Sequence, residues 1–444
     1  MVETREDAGT RSERKLFERL APSFLAAAQD LEGDGVGHDR TLAESTMKDA
    51  VDARATDIHL DPYSGRYRMR FRIDGVIVDV AEVDHELGLQ LVNQFRALAR
   101  IDPVSGQGPE DGRFSYAFDH FDLDVRVSGA PCIAGEKLAI RLLAPGRVSK
   151  DVQGLGLSAQ EVESLHGWLE GVGGMLLIAG PTGSGKTTTL YSLLHQLTMT
   201  DHHVLTLEDP VEYEIPGINQ MEVDADRGWD FARGAQAMLR LDPDYLVVGE
   251  LTHKESARAT VNAAAGGKAT MTTLHSRDAV DTVMVLRNFG LDDFEIASNL
   301  QLVVAQRLVR RLCPECGQEQ APSDGDRRWL EALDIPVPET VWTARGCDSC
   351  QQMGFKGRVG VFEVWRPLDA EYGMMLDHLS TAEIRRSLAD RGHRFLLDDG
   401  LAKAGAGLTS LSELRGLGAH GSASAKGASP LLEATDAGVS GLDR

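Results

Sequence analysis

The octapeptide Gly180-Pro181-Thr182-Gly183-Ser184-Gly185-Lys186-Thr187 places two glycines with four residues between them, then a lysine and a threonine. Glycines let a backbone wrap closely enough to aim several N–H groups at one polyphosphate. Lys186 adds a mobile positive charge for the outer phosphates, and the Thr187 hydroxyl suits Mg²⁺. Thr188, next in sequence, completes the candidate nucleotide-binding run. The alternative is a Gly-rich surface turn that matches by chance. Met175-Leu176-Leu177-Ile178-Ala179 before the loop reads as a buried strand, and Thr188 to Leu197 after it reads as a helix. A loop so framed sits at a helix N-terminus, where anions are favoured.

Two acidic groups and a histidine follow further β-like runs. Glu208 closes the run that starts at His203, Glu250 follows Tyr245 to Val248 and Gly249, and His275 follows Ala269 to Leu274. Ligands of open α/β sheets gather at the carboxyl ends of strands. A carboxylate there can hold hydrated Mg²⁺ or orient the attacking water. Glu208 and Glu250 are therefore both candidates for a metal or water role, and His275 for a phosphate sensor. The competing reading of each is a helix cap or a hydrogen-bonded structural group.

Five cysteines include two C-x-x-C knuckles, Cys313-Pro314-Glu315-Cys316 and Cys347-Asp348-Ser349-Cys350, with 30 residues between them. Four thiolates satisfy tetrahedral Zn²⁺ with no open position, which describes a structural site. The separation exceeds the usual ribbon spacing, and four reduced structural cysteines are the alternative. Cys132, between Pro131 and Ile133, is expected to be a small buried residue.

These side chains need a scaffold. The runs Met175–Ala179, His203–Leu207, Tyr245–Val248 and Ala269–Leu274 alternate with helical stretches, which predicts an α/β sheet with helices on both faces. Ser158 and Glu161 form a capping box, with Leu157 and Val162 as its hydrophobic staple, and start a helix leading into that region. Upstream, Leu42 to Arg54 looks helical. Arg66-Tyr67-Arg68-Met69-Arg70-Phe71-Arg72-Ile73 alternates strictly, and Asp74-Gly75 signals a tight turn into Val76-Ile77-Val78. The arginines of that strand share one face, about 7 Å apart. Arg66 and Arg68 are expected on a solvated edge. The predicted organisation is a short N-terminal segment and linker over 1–42, a mixed α/β domain over 43–148, a linker over 149–157, a second domain over 158–416 with the cysteine subdomain at about 313–350, and a disordered tail over 417–444.

The chain of 444 residues is 42% hydrophobic and 26% charged, which is ordinary for a soluble protein. No apolar run reaches membrane-spanning length, and the mixed-charge N-terminus has no signal-peptide core. A cytoplasmic location is expected, which favours metal over disulfides at the cysteines. The net charge of −22 opposes broad binding to DNA or anionic lipid.

The motifs jointly resemble the secretion ATPase superfamily that powers type II secretion and type IV pilus assembly. Gly180 to Tyr191 looks like its phosphate-binding loop, Glu208-Asp209-Pro210-Val211-Glu212 its aspartate box, Val248-Gly249-Glu250 its Walker B motif and Thr272-Thr273-Leu274-His275 its histidine box. Thr56-Asp57-Ile58-His59, Arg72-Ile73-Asp74-Gly75, Asp111-Gly112-Arg113, Asp124-Val125-Arg126-Val127-Ser128 and Gln306-Arg307-Leu308 with Cys313 resemble further family motifs. The likeness covers about residues 43 to 415.

The resemblance implies a RecA-like P-loop motor domain preceded by a smaller PAS-like α/β domain, with a zinc-binding insertion and a helical C-terminal region. It implies ATP, Mg²⁺ and Zn²⁺ as cofactors, and a homo-hexamer that drives assembly of pilin-like subunits. The implied partners are an inner-membrane platform protein and an associated cytoplasmic docking protein, so the chain would be cytoplasmic and peripheral at the inner membrane, with no direct nucleic acid. Arg72, Arg113, Arg126 and Arg141 become candidates to reach phosphates or bridge subunits. The tetracysteine site speaks for an assembly motor, since retraction motors generally lack it. Two departures stand out: Leu251-Thr252-His253 after Glu250, where the family has a hydrophobic residue then Arg-Asp, and Gly266-Gly267-Lys268 in place of Thr-Gly-His. They motivate a second reading, a nucleotide-binding scaffold with weak or no turnover. A third is a retraction-type motor or a DNA-transfer relative; the cysteines oppose retraction, which a missing zinc would reopen, and the net charge opposes direct DNA handling. Lys268 is expected still to be able to contact phosphate.

Overall fold

The structure is a computed structural model; it describes residues 19–32, 41–102, 108–118, 121–143, 151–171 and 173–417. The expectations for most of the N-terminal segment and for the tail from 418 fall outside the described residues. Contacts divide the chain into two units, 1–147 with 345–357, and 148–344 with 358–444.

The first unit is an antiparallel sheet with helices. Its strands are β1 (Ala55–Tyr63), β2 (Arg66–Ile73), β3 (Val76–Asp84), β4 (Glu110–Phe118), β5 (Phe121–Cys132) and β6 (Gly135–Leu143), in the order β3-β2-β1-β6-β5-β4. Tyr67, Met69, Phe71 and Ile73 point into the core, as the alternation of β2 dictates. They meet Phe24 of α1 (Pro22–Glu32), Met47 of α2 (Leu42–Asp52) and Phe95 of α3 (His85–Leu98) in one apolar cluster. Asp74 and Gly75 both have positive φ, +50° and +89°, the backbone a two-residue hairpin of the primed type needs.

Two expectations are corrected here. Arg66 and Arg68 do not sit on an edge: β2 is an interior strand between β3 and β1. Arg68 pairs with Glu82 at 3.3 Å and lies over the Tyr63 ring, because antiparallel neighbours put these acids and rings opposite the arginine face. Cys132 is exposed, because it is the last residue of β5, beside the turn into β6.

The second unit carries a seven-stranded sheet in the order β15-β12-β7-β11-β10-β8-β9. These strands are β7 (Gly174–Ala179), β8 (Val204–Glu208), β9 (Asn219–Glu222), β10 (Tyr245–Val248), β11 (Ala269–Leu274), β12 (Leu300–Leu312) and β15 (Phe355–Trp365). All the pairings from β12 to β9 are parallel. The four strands anticipated from the sequence are present; β9, β12 and β15 were not anticipated. Helices cover both faces, as expected. One face packs against α4 (Ala159–Leu169) and α5 (Lys186–Leu197). The other packs against α6 (Phe231–Met238), α7 (Lys254–Ala265), α8 (Asp281–Asn288) and α9 (Asp293–Asn299). The capping box is present: the Glu161 N–H donates to Ser158 Oγ at 3.3 Å and the Ser158 N–H to Glu161 Oε2 at 2.7 Å. Beyond the sheet lie β13 (Gly317–Gln320), α10 (Asp324–Glu331), β14 (Val341–Ala344), α11 (Asp369–Leu376), α12 (Thr381–Asp390), α13 (Leu396–Gly405) and α14 (Leu411–Leu414).

Candidate nucleotide site and cysteine cluster

Parallel pairing brings the carboxyl ends of four strands to one border of the sheet. Leu274 of β11 stands opposite Ala179 of β7, and Val248 of β10 lies opposite both Thr272 of β11 and Leu207 of β8. The residues just past those ends are tied to one another. The Gly180 N–H donates to the Leu274 carbonyl at 3.2 Å, the Leu251 N–H to Thr273 at 2.9 Å, and the Thr273 hydroxyl to the Gly249 carbonyl at 2.8 Å. The P-loop, Glu250 and His275 are thereby fixed at adjacent strand ends.

Within the P-loop, Gly180 has φ +153°, and a Cβ there would stand 2.5 Å from both the Gln306 carbonyl and Ser184 Oγ. Only glycine fits that approach. Ser184 is buried; Pro181, Thr182, Gly183 and Thr187 are exposed, and Gly185, Lys186 and Thr188 are half-buried. Gly185 at φ +89° precedes α5, whose first residue is Lys186, so the first N–H groups of that helix lie at the loop.

The charged groups form a line. Lys186 Nζ donates to the carbonyls of Gly180 at 2.9 Å and Pro181 at 3.3 Å, and lies 3.4 Å from His275 Nδ1. His275 Nε2 is 2.7 Å from Glu250 Oε1. A carboxylate only accepts, so Nε2 carries the proton; Nδ1, which also lies 3.2 Å from the Gly180 carbonyl, accepts from Lys186 in the neutral ring and donates to that carbonyl in the charged one. Burial lowers the Lys186 ammonium from the usual lysine range, the Glu250 carboxylate pulls it back up, and the Arg307 guanidinium pushes it down. A lysine held by neutral carbonyls and one imidazole is ready to exchange those partners for phosphate oxygens, which are better acceptors for a cation.

Glu208 is placed differently. It is 4% exposed, and its carboxylate accepts from Thr206 Oγ1 at 2.6 Å, Gln220 Nε2 at 3.2 Å and the Tyr191 hydroxyl on α5. Tyr191 also takes the Glu212 N–H at 3.1 Å and packs on Tyr213, with ring centroids 4.7 Å apart. Burial first, and then the Glu208 charge, push its hydroxyl far above the usual tyrosine range. Tyr191, Thr206 and Gln220 were not singled out from the sequence; only the position of Tyr191 on the P-loop helix, facing the neighbouring strand end, could have signalled it.

Of the two departures, His253 is the N-cap of α7 and Thr252 is exposed. The expectation for Lys268 is corrected. It precedes β11 and pairs with Asp242 at 3.3 Å, at the amino end of a six-residue strand whose carboxyl end bears His275. The two ends are about 20 Å apart, too far for a lysine to reach the P-loop.

In the first unit, the arginines implied by the resemblance share a row. Arg72 of β2 stands opposite Asp57 of β1, Asp57 opposite Arg141 of β6, Arg141 opposite Arg126 of β5, and Arg126 opposite Arg113 of β4. Directly opposed residues share a face, so the row spans about 19 Å of one sheet surface. Asp57 pairs with Arg72 at 3.6 Å and with Arg141 at 3.2 Å. Like charges directly opposite one another are destabilising, and Arg141, Arg126 and Arg113 are three in succession.

The cysteine knuckles converge. The Sγ atoms of Cys313, Cys316, Cys347 and Cys350 all lie within 4.8 Å of one another. The ladder of β13 with β14, from Gly317 opposite Ala344 to Gln320 opposite Val341, folds the long intervening segment back on itself. Tetrahedral Zn–S bonds of about 2.3 Å need sulfurs about 3.8 Å apart, and Cys347 and Cys350 are at 3.7 Å. The N–H groups of Cys347 and Gly354 donate to Cys350 Sγ at 3.3 and 3.2 Å, bonds that stabilise a thiolate. The donor set fits Zn²⁺.

Comparison with known proteins agrees with this geometry. Residues 34–416 match the family described as Type II/IV secretion system protein. The chain is similar to type II secretion system protein E of Pseudomonas aeruginosa, 37% identical over 373 residues, covering 84% of this chain and 74% of that protein. It is similar to the type IV pilus assembly ATPase PilB of Myxococcus xanthus, 36% identical over 380 residues, covering 84% of this chain and 67% of that one. Its fold resembles the crystal structure of the Legionella pneumophila ATPase DotB, with a TM-score of 0.63, 18% identity, and coverage of 86% and 96% of the two chains. A family match over most of the chain, joined to the P-loop and its companion strand ends, establishes that this protein belongs to the type II/IV secretion system protein family.

Proposed function

We propose that the chain is an ATP-hydrolysing hexameric motor that drives assembly of pilin-like subunits in a type II secretion or type IV pilus system. The line Lys186, His275, Glu250 at adjoining strand ends carries the reading, because it sets a phosphate-binding cation and a candidate base at one border. The P-loop from Gly180 to Thr188 holds the phosphates, with Lys186 on the outer ones and Thr187 on Mg²⁺. Bound Mg²⁺ neutralises charge on the phosphate oxygens. Glu250 orients and deprotonates the attacking water, and His275 joins Glu250 to Lys186 so that phosphate arrival is felt at the carboxylate. Glu208, engaged by three donors, acts by fixing α5 against β8 and supports the metal side of the site only indirectly. The row of Arg72, Arg141, Arg126 and Arg113 offers cations to phosphate or to a neighbouring subunit. Cys313, Cys316, Cys347 and Cys350 hold a structural Zn²⁺. The membrane-facing partner is a platform protein of the inner membrane, reached with a cytoplasmic docking protein; among the described residues no helix is long and apolar enough to cross a membrane. Two observations support turnover over a purely scaffolding role: His253 caps a helix and Lys268 lies at the far end of its strand. The test is ATP hydrolysis by the full chain, in a preparation sized as six copies of 48.2 kDa. Wild type should turn over and Lys186→Ala should lose binding and turnover; equal rates for the two would overturn the reading.

A further inference from the structure

Gln306 and Arg307 lie on β12 just past Ala305, which stands opposite the last residue of β7, Ala179. Gln306 is 2% exposed, and both ends of its amide are engaged. Nε2 donates to the Ser184 carbonyl at 2.8 Å, and Oε1 accepts from the Thr189 hydroxyl at 2.8 Å. Ser184 is in the phosphate loop and Thr189 is in the first turn of α5, so one amide ties loop to helix. The Gln306 carbonyl closes on Gly180, where a Cβ would be 2.5 Å away. The next side chain reaches the other half of the site. Arg307 donates to the Gln306 carbonyl at 3.0 Å, to Ser276 at 3.5 Å and to the Arg277 carbonyl, on the two residues that follow His275.

We propose that Gln306 and Arg307 are a pair of positioning residues: Gln306 sets the P-loop that receives the phosphates, and Arg307 sets the turn that aims His275 at Glu250. Neither touches substrate. The proposal rests on the reading of this border as the ATP site with Glu250 as base. It predicts a division of effects that a merely structural pair would not give, because one residue acts on binding and the other on the chemical step.

The experiment measures equilibrium binding of a fluorescent methylanthraniloyl-ATP with Mg²⁺, steady-state ATP turnover and thermal melting on the full chain. Gln306→Leu, similar in size but unable to bond, should raise Kd about tenfold (about 1.4 kcal/mol). Thr189→Val removes the same bond from the helix side and should raise Kd about threefold; combined with Gln306→Leu it should add little, since the bond is already gone. If Gln306→Leu does not fold, Thr189→Val carries that half. Arg307→Gln should leave Kd within twofold and lower kcat about tenfold. Kd values within twofold of wild type for both Gln306→Leu and Thr189→Val overturn the Gln306 half. An unchanged kcat for Arg307→Gln overturns the other. A raised Kd and a lowered kcat together with a lower melting temperature in all variants reduce the pair to packing and overturn both. A wild-type chain that binds ATP without hydrolysing it sinks the hydrolysis reading and the Arg307 half with it, while the affinities still decide Gln306.

Discussion

Lys186 and Glu250 are 64 positions apart in sequence and are joined by one imidazole, His275, in a line of contacts of 3.4 and 2.7 Å. Their types and places were legible from the sequence, because each follows a short apolar run and strand ends of a parallel sheet converge on one border. Glu208 was legible as a strand-end acid but not as a satisfied one. Its partners Tyr191, Thr206 and Gln220 come from three separate elements, and no local pattern announces such a meeting. Tyr191→Phe tests what that network does. It leaves a buried carboxylate oxygen without its hydroxyl donor, which costs about 1–3 kcal/mol. Urea unfolding should show that loss, and unchanged stability would mean that Tyr191 does not support Glu208. Glu363 on β15 gives a second prediction. Burial raises its carboxyl above the ordinary 4.5, nearby His393 pulls it down, and Asp278 pushes it up. Because the folded state prefers the neutral form, the stability it contributes is full below about pH 4.5 and is lost as pH rises through the folded value. Glu363→Gln, neutral at every pH, should melt higher than wild type at pH 8, with the gap closing toward pH 5. An unchanged gap across that range would contradict it.

Among the elements, the four strands that carry the site were readable as short apolar runs, whereas β12 was not. It begins buried at nearly every position and from Arg307 on mixes half-buried residues with the buried Val309 and Leu312, so neither the strand period nor a continuous apolar run dominates its thirteen residues. That is also why Gln306 could be quoted only as part of a motif: its partners Ser184 and Thr189 are 122 and 117 positions away and meet it only once β12 pairs with β7. The arginine alternation of β2 was legible, but the row from Arg72 to Arg113 depends on the register of five strands. The cysteine cluster stood between these cases. Its ligand types were plain, and its long spacing makes sense once β13 and β14 pair around the intervening segment. Elemental analysis of the purified protein should find one zinc per chain, lost in Cys350→Ser, and chelation should lower the melting temperature by several degrees. A zinc-free chain with an unaltered melt would remove the metal from this site.

At the scale of the whole molecule, two units of different construction share one chain: an antiparallel sheet with an arginine row, and a parallel sheet with a phosphate loop. The net charge of −22 opposes broad binding to a long polyanion such as DNA. Family membership follows from a match over residues 34–416, and the meeting of the P-loop, Glu250 and His275 at one border follows from the register of the sheet. In the proposed motor, cleavage of the outer phosphate turns binding into work, and Glu250 is the proposed base. The most direct measurement is therefore a paired assay of Glu250→Gln on the full chain, with ATP affinity by equilibrium binding and turnover by phosphate release. Affinity within about threefold of wild type, with kcat lowered by about a hundredfold or more, is the predicted result. Turnover at the wild-type rate would show that Glu250 is not the group that activates water.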